Sequence, residues 1–326
     1  MGASTIEQQI KNFVLTECKM DKVGIAGIER FNGSPKGYHP TDFLPGCQSV
    51  IAFCRRLPDG AINAAVRAYE DKKYNVHGQY GAFGYVGAPN YSLLYANYKL
   101  ARFVEKITGE ICVPESAGPT HGGKMMSMRH CAVAAGLGEF GWSTIVLTPE
   151  FGPRNRFGAV LTTAKLKQDP MYDGPKLCDY EHCHVCVDMC PTGAIPKYIP
   201  GQERVVDYGE GRPQCYAGIN WTKCKVMCEG EYSDFNYNGD YNMMDPIIRN
   251  PLDEDFMPTQ GYRKTHTFMH FPQHGTSWKC GNCLQYCPVG NWKERFYDTK
   301  VSNVEVNQFI YGKPPVNMDN DWEEDK

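Results

Sequence analysis

The chain has 326 residues, of which 42% are hydrophobic and 22% are charged, and its formal net charge is −3. This composition is typical of a globular protein, and the length predicts two domains or one domain with a sizeable insert. The charge balance provides no basic field for nucleic acid, no apolar run is long enough to cross a bilayer, and the first residues lack the pattern of a signal peptide. We therefore expect a cytoplasmic protein with no nucleic-acid partner and no membrane span.

Residues 1–168 are predicted to form a first unit with a mixed α+β fold. Thr5 can cap a helix through the backbone of Gln8, and apolar residues then recur on one helical face. The same periodicities predict the later elements, with Gly109 and Gly136 as helix stops. These elements are, in chain order, strands at "KVGIAGI" and "SVIAFC", helices over Tyr91–Ile107 and Met125–Ala135, and two strands within "STIVLTPEFGPRNRFGAVLTT".

Residues 169–300 are predicted to form a second unit, because cysteines become frequent in that part of the chain. The unit contains a long insert near residues 229–275 that is rich in Asn, Asp, Tyr and Pro and shows no clear period. Such a loop is either a lid or interface, or an irregular surface insert. The acidic C-terminal tail, residues 301–326, is expected to fray.

The 15 cysteines predict metal binding rather than disulfides, since no export signal accompanies them and two groups end in Cys-Pro. The first group, "CDYEHCHVCVDMCP", contains C-x2-C-x3-C-P from Cys183 to Pro191, which is the second half of the bacterial ferredoxin pattern. Tyr180 occupies the position of the usual first cysteine, and Cys178 lies two residues further upstream. Five cysteines in apolar surroundings are predicted to be buried: Cys18, Cys47, Cys54, Cys112 and Cys131.

The second group, from Cys280 to Pro288, repeats C-x2-C-x3-C-P but lacks a first cysteine. Cys215, Cys224 and Cys228 are the upstream candidates for that role. Each cubane cluster takes four thiolates, and in two-cluster proteins the cysteine before the proline binds the other cluster. Zinc is the alternative, although a zinc ribbon has no need for a third cysteine. The crossover rule assigns one [4Fe–4S] cluster to Cys178, Cys183, Cys186 and Cys287, and a second to Cys190, Cys280, Cys283 and one upstream cysteine.

The stretch "GLGEFG", from Gly136 to Gly141, matches the dinucleotide fingerprint G-x-G-x-x-G. That fingerprint must follow a strand and begin a helix, so that the helix N-terminus meets the pyrophosphate. Here a helical pattern precedes it and a β-rich pattern follows. We interpret it as the C-terminal cap of a helix followed by a tight turn.

The stretch "HCAVAAGLGEFGWSTIVLTPEFGPRNRFGAVLTT", followed by the two cysteine groups, resembles the reductive dehalogenases and their relative epoxyqueuosine reductase. The resemblance implies a nitroreductase-like domain that holds a cobalamin, and a ferredoxin-like domain with two [4Fe–4S] clusters that delivers electrons to it. It implies a corrinoid-dependent iron–sulfur reductase that cleaves a carbon–halogen, carbon–oxygen or similar bond in a small molecule. A low-potential donor such as ferredoxin or flavodoxin would supply the electrons. In "QCYAGINW", Cys215 resembles the isolated fourth ligand of the second cluster.

Site residues follow from this resemblance and from the chemistry that it requires. A tyrosine beside a cation can protonate a carbanion, so the tyrosines of "YGAFGYVGAPNYSLLYANY", Tyr91 among them, are donor candidates. Arg154 and Arg156 are candidate cations, and Glu115 is a further candidate acid. The cobalamin is expected to be base-off, because no histidine lies in the Asp-x-His-x-x-Gly pattern that places a histidine on cobalt. The predicted cofactor contacts are His121, Gly136, Gly138, Glu139, Phe140, Gly141 and Trp142.

Two other functions remain open at this point. The chain could be an iron–sulfur electron-transfer protein or a corrinoid-reducing partner without a substrate of its own, although the length before Cys178 exceeds what a two-cluster ferredoxin needs. It could also be a nitroreductase-like enzyme that holds a flavin. A homodimer is compatible with each function.

Overall fold

The structure is a computed structural model that describes residues 4–63, 80–85, 87–115, 126–190, 192–221, 223–224 and 281–290. Its helices are α1 (Ile6–Thr16), α2 (Pro40–Phe43), α3 (Ala88–Thr108), α4 (Met128–Ala134), α5 (Val185–Asp188) and α6 (Asn282–Gln285), with a 3-10 segment at Ile28–Phe31 and a π-helical segment at Tyr80–Tyr85. Its strands are β1 (Lys22–Gly27), β2 (Ser49–Arg56), β3 (Cys112–Pro114), β4 (Glu139–Phe140), β5 (Val146–Leu147), β6 (Asn155–Thr162), β7 (Arg204–Val206) and β8 (Gln214–Tyr216).

A four-stranded antiparallel sheet in the order β1-β2-β6-β3 forms the centre of the first unit. Ile51 of β2 lies opposite Ile25 of β1 and Val160 of β6, so one row of apolar side chains crosses three strands. These strands are rich in Val, Ile, Phe and Ala, and β2 and β6 are buried over most of their length. Such continuous burial indicates that both faces of the sheet are covered.

Helices cover each face of this sheet. Successive strand residues point to opposite sides, so alternate residues of one strand pack against different helices. Ile51 and Phe53 of β2 pack with the apolar faces of α1 and α3. Val50 and Ala52, one residue out of step, pack instead with α4 and with the segments around it. The result is a helix–sheet–helix arrangement with one apolar core on each side of the sheet.

Two helix ends agree with the sequence prediction, whereas the helix predicted from Tyr91 begins earlier, at Ala88. The Thr5 side chain accepts a hydrogen bond from the backbone N–H of Gln8 at 3.2 Å, and this caps α1. Helix α3 ends at Gly109, which adopts a φ of 76° as a left-handed cap. The predicted mixture of helices and strands is therefore confirmed. The domain boundaries at residues 168 and 300 stay predictions.

Two further expectations concern burial. The five cysteines predicted to be buried are each at most 8% exposed, which confirms that prediction. None of the helices in the described part of the chain has the length and apolar character needed to cross a membrane. The insert near 229–275 and the tail from 301 lie outside the described residues.

Candidate functional site

The "GLGEFG" stretch forms a helix cap that leads into a β-hairpin. Gly136 follows α4 with a φ of +77°, and its N–H donates to Val133 O at 3.0 Å. The N–H of Leu137 donates to Ala132 O at 3.0 Å, which completes a Schellman motif. Strands β4 and β5 then pair as a short hairpin. The interpretation as a helix cap and turn is confirmed, and the geometry of a dinucleotide fingerprint is not present here.

Glu139, the central residue of this stretch, holds the chain where it enters the first cysteine group. Its carboxylate is 5% exposed and accepts hydrogen bonds from the backbone N–H groups of Leu177 and Cys178. Arg212 neutralises it through an ion pair of 3.2 Å, and also donates to the carbonyl of Gly174 at 3.1 Å. A buried carboxylate is costly unless it is paired and hydrogen-bonded, so these partners fix the position of Cys178.

Trp142, in the turn of the same hairpin, contacts several parts of the cysteine-rich segment. Its backbone N–H donates to the Sγ of Cys178 at 3.3 Å, and its indole N–H donates to the Pro196 carbonyl at 2.8 Å. The rings of Tyr180 and Tyr198 lie 5.2 and 5.4 Å from the indole ring. Tyr180, which occupies the place of the expected first cysteine, thus serves as a packing residue.

Four thiols predicted to share a cluster lie close together. Burial raises the pKa of Cys186 to about 12, and the thiols of Cys178, Cys287 and Cys183 add to that rise. Burial also raises the pKa of Cys287 to about 12, with Cys178 and Cys183 as neighbouring thiols. Cys287 is distant in sequence from the other three, so the fold brings it to them. Partly buried thiols of this kind ionise when a metal cation binds them.

The cysteines predicted for the second cluster border the first group. Cys190 and Cys283 pack against the same small core of Trp142, Ile195 and Ala217 that Cys178 and Cys186 contact. The Sγ of Cys190 accepts a hydrogen bond from the Ala194 N–H at 3.2 Å. Cys280 lies outside the described residues.

Of the upstream candidates that the structure describes, Cys215 lies beside Tyr180 of the first cysteine group. Burial raises the pKa of Tyr180, and a hydrogen bond and charge interaction with Cys215 add to the rise. Cys224 instead lies near Arg129, whose guanidinium interacts with it electrostatically. Cys228 is outside the described residues. The choice of Cys215 as the fourth ligand stays a prediction.

The residues present fit iron–sulfur clusters, since thiols from two distant segments meet in apolar surroundings with backbone N–H groups directed at sulfur. Within the described residues, no three His, Cys, Asp or Glu side chains converge on a point that could hold a single metal ion.

The candidate catalytic residues occupy different surroundings. Tyr91 is 45% exposed at the start of α3, and Glu115 is 1% exposed and accepts a hydrogen bond from the Met126 N–H at 3.3 Å. Arg156 donates to the carbonyl of Tyr85 at 2.9 and 3.0 Å, and its guanidinium lies 4.3 Å from the centroid of that ring. The structure therefore brings Arg156 to Tyr85, another tyrosine of the predicted stretch, rather than to Tyr91. His121 lies outside the described residues.

Arg129, which was not among the candidates from the sequence, lies near Arg156 and Tyr85. Its guanidinium donates to the hydroxyl of Thr144 at 2.6 Å and interacts electrostatically with Tyr85 and Arg156. Burial lowers the pKa of Arg129. Thr144 has a φ of 64°, a left-handed conformation that is rare for a β-branched residue. No motif marks this pair, since the strained turn becomes visible only in the folded hairpin.

No family model matches this chain. Tetrachloroethene reductive dehalogenases of Desulfitobacterium hafniense and Dehalobacter restrictus are each 42% identical to it over 66 residues, which is 20% of this chain and 12% of theirs. The chain therefore matches a small part of the length of these curated relatives.

Solved structures of two kinds of reductase are similar to the chain. An epoxyqueuosine reductase from Streptococcus thermophilus matches with a TM-score of 0.43 and 17% identity over 60% of this chain and 54% of that one. An epoxyqueuosine reductase with a modified tRNA stem loop matches with a TM-score of 0.49 and 15% identity. That match covers 87% of this chain and 66% of the other. The catabolic reductive dehalogenase NpRdhA in complex with 3-bromo-4-hydroxybenzoic acid matches with a TM-score of 0.43 and 16% identity. That match covers 84% of this chain and 36% of the other. The sequence match to the tetrachloroethene reductive dehalogenases confirms the resemblance over those 66 residues.

One expectation is corrected by this result. We predicted a small-molecule substrate and no nucleic-acid partner, and that prediction is wrong, because the similar structures include an epoxyqueuosine reductase with a tRNA stem loop. The net charge of −3 was a poor basis for the exclusion. It averages over the whole chain and does not report local groups of arginines.

The meeting of Cys287 with the first cysteine group gives a test of the crossover. Cys287→Ala should disturb the same cluster as Cys183→Ala, whereas Cys283→Ala should disturb the other one. Electron paramagnetic resonance of the reduced variants would show which signal is lost. Cys131→Ala, a buried cysteine outside both groups, is the control. Loss of different clusters in the Cys287 and Cys183 variants would contradict the assignment.

The positions of Cys215 and Cys224 give a second test. Cys215→Ala should lower the iron content by about the share of one cluster or make that cluster labile, because one of its four thiolates is missing. Cys224→Ala, alone or with Cys228→Ala, should keep the full iron content. Iron and sulfide analysis of anaerobically purified protein measures both. The reverse pattern would move the ligand to the "CKVMC" stretch.

Proposed function

We propose that this chain is an oxidoreductase, a corrinoid-dependent iron–sulfur reductase that cleaves a carbon–halogen, carbon–oxygen or similar bond. The observation that carries the proposal is the convergence of Cys178, Cys183 and Cys186 with Cys287. These thiols lie next to the β4–β5 hairpin of the first unit, which is the unit that contains the four-stranded sheet. The first unit would be the nitroreductase-like domain, and the cysteine-rich segment the ferredoxin-like domain.

The hairpin would join electron delivery to the reacting centre. Trp142 contacts the cysteine groups, and Thr144, two residues on, contacts Arg129. Electrons from a low-potential donor such as ferredoxin or flavodoxin would pass through the two clusters one at a time. A cobalamin, when bound, supplies a low-valent cobalt centre that can take part in reductive bond cleavage.

Arg129 and Arg156 provide positive charge at this centre. Neither has a carboxylate within salt-bridge distance among the residues that the structure describes. Both guanidinium groups are partly buried, and a pair of partly buried guanidinium groups without a carboxylate suits an anionic group. That group is a phosphate of the cofactor, an anionic part of the substrate, or the negative charge that develops on a leaving group.

Tyr85 is the proton donor that the geometry favours. Cleavage of a carbon–halogen bond takes two electrons and one proton, forms a C–H bond and releases the halide. Reduction of an epoxide to an alkene takes two electrons and two protons and releases the oxygen as water. A cation next to a tyrosine stabilises the phenolate that remains after proton transfer. Tyr85 lies beside Arg156 and ends a π-helical segment, a feature often found at functional sites.

The cofactor can be tested by anaerobic reconstitution with cobalamin. We expect the protein to bind it base-off, since no histidine pattern for a lower axial ligand is present, and a weak axial field makes Co(II) easier to reduce. Electron paramagnetic resonance of the Co(II) state should show no nitrogen superhyperfine splitting. Splitting would contradict the base-off state. Binding of a flavin in place of any corrinoid would support the nitroreductase-like alternative, and binding of neither would support an electron carrier.

The proton donor can be tested with Tyr85→Phe. The variant should lower kcat by about 10²–10⁴-fold with a smaller change in KM, because it removes a proton and leaves the ring in place. Halide release from organohalides and reduction of epoxyqueuosine in tRNA, with reduced methyl viologen as the donor, are the assays. Tyr38→Phe, at an exposed tyrosine outside the predicted stretch, is the control. A large loss in Tyr91→Phe with none in Tyr85→Phe would restore Tyr91 as the donor.

A further inference from the structure

Arg154 connects the central sheet to the second cysteine segment. Its side chain is 0% exposed, and its Nη2 donates to the backbone carbonyl of Gln285 at 3.2 Å. Gln285 is the last residue of α6 and stands two positions before Cys287. The positive charge therefore lies at the end of the helix that carries Cys283, beside a predicted cluster ligand.

Two polar side chains from the first unit hold this guanidinium in place. Arg154 Nη1 lies 3.1 Å from Asp59 Oδ1 and 3.2 Å from Asn63 Oδ1. Asp59 is 4% exposed and also pairs with Arg56, so one carboxylate is shared by two guanidinium groups.

The backbone around Arg154 is in close contact with the cysteine segment. Gly152, with a φ of +54°, lies so near that a Cβ atom there would be 1.9 Å from the carbonyl oxygen of Val289. Two segments, one on each side of Cys287, are thus bound to the "GPR" turn: Gln285 by a hydrogen bond and Val289 by direct backbone packing.

We propose that Arg154 is a positioning residue for the cluster that Cys287 binds and that its charge raises the reduction potential of that cluster. The inference rests on the proposed clusters and deepens that function. One added electron takes a cubane with its four thiolates from a net charge of about −2 to about −3, so a nearby cation stabilises the reduced form more than the oxidised form. Burial strengthens the effect, since solvent and salt screen it little.

Charge and shape can be separated with two substitutions. Arg154→Gln removes the charge, and Arg154→Lys keeps it but loses the fork that reaches both Asp59 and Gln285. In a redox titration followed by electron paramagnetic resonance, we compare the variants at the potential where the wild-type cluster is half reduced. The ratio of reduced to oxidised cluster should fall about tenfold or more in Arg154→Gln and stay within about threefold of wild type in Arg154→Lys.

Two isosteric changes test the sign independently, and they decide the matter if Arg154→Gln fails to assemble a cluster. Asn63→Asp adds a negative charge beside the guanidinium and should lower the same ratio. Asp59→Asn removes a negative charge from beside the guanidinium and should raise the ratio of reduced to oxidised cluster. Arg30→Gln is the matched control, since Arg30 is a buried arginine that pairs with Glu210 and bonds to a helix C-terminal carbonyl, that of Ala134. It should leave the ratio unchanged.

Three results would overturn the inference. One is an Arg154→Gln variant with normal iron and sulfide content whose cluster has an unchanged reduction potential. Another is a shift of the same size in Arg154→Lys and Arg154→Gln, which indicates a role in shape alone. The third is a shift of the same sign in Asn63→Asp and Asp59→Asn. Wild-type protein without iron–sulfur signals would refute the proposed function itself, and iron analysis before the titration distinguishes that case.

Discussion

The carboxylate of Glu139 determines how the cysteine-rich segment joins the sheet-containing unit. A buried carboxylate must be paired, and its partners are two backbone N–H groups at Leu177 and Cys178 and the guanidinium of Arg212. Because β4 is the continuation of the α4 cap, this pairing ties the first cysteine to the packed core. Trp142 adds a hydrogen bond to the Cys178 sulfur and an apolar surface on which cysteines of both groups pack. The candidate site depends on this hairpin.

Electrostatics at the candidate clusters follow from burial. Thiols in apolar surroundings resist ionisation, which is the cause of the raised pKa values at Cys186 and Cys287. In the proposed clusters, iron would provide the charge that makes thiolates stable there, and N–H groups directed at sulfur would stabilise the remaining negative charge. Arg154 fits the same pattern, because its positive charge is buried near a proposed cluster ligand, Cys287, rather than on the surface. Arg129 and Arg156 instead place charge beside Tyr85, in the sheet-containing unit, where a substrate or cofactor group would meet it.

Local signals in the sequence predicted local structure well. The cap of α1 at Thr5, the stop of α3 at Gly109 and the interpretation of "GLGEFG" depend on a few neighbouring residues, and the structure agrees with them. The cysteine spacings predict which thiols should share a cluster, because crossover is a property of the motif, and that assignment stays a prediction. Contacts between distant segments could not be predicted in this way. Neither the pairing of Glu139 with the Cys178 backbone nor the approach of Arg154 to Gln285 leaves a pattern in sequence, and the choice between Tyr85 and Tyr91 depended on which tyrosine the fold brings to Arg156.

The central claim is that two cubane clusters occupy the thiols gathered around Trp142. Mössbauer spectroscopy of iron-57-enriched protein, isolated without oxygen, tests it most directly when combined with iron and sulfide analysis. The account predicts about eight iron and about eight sulfide per chain, with the quadrupole doublets of [4Fe–4S] clusters as the major species. Zinc in place of iron, or isolated ferric or ferrous ions without sulfide, would contradict it.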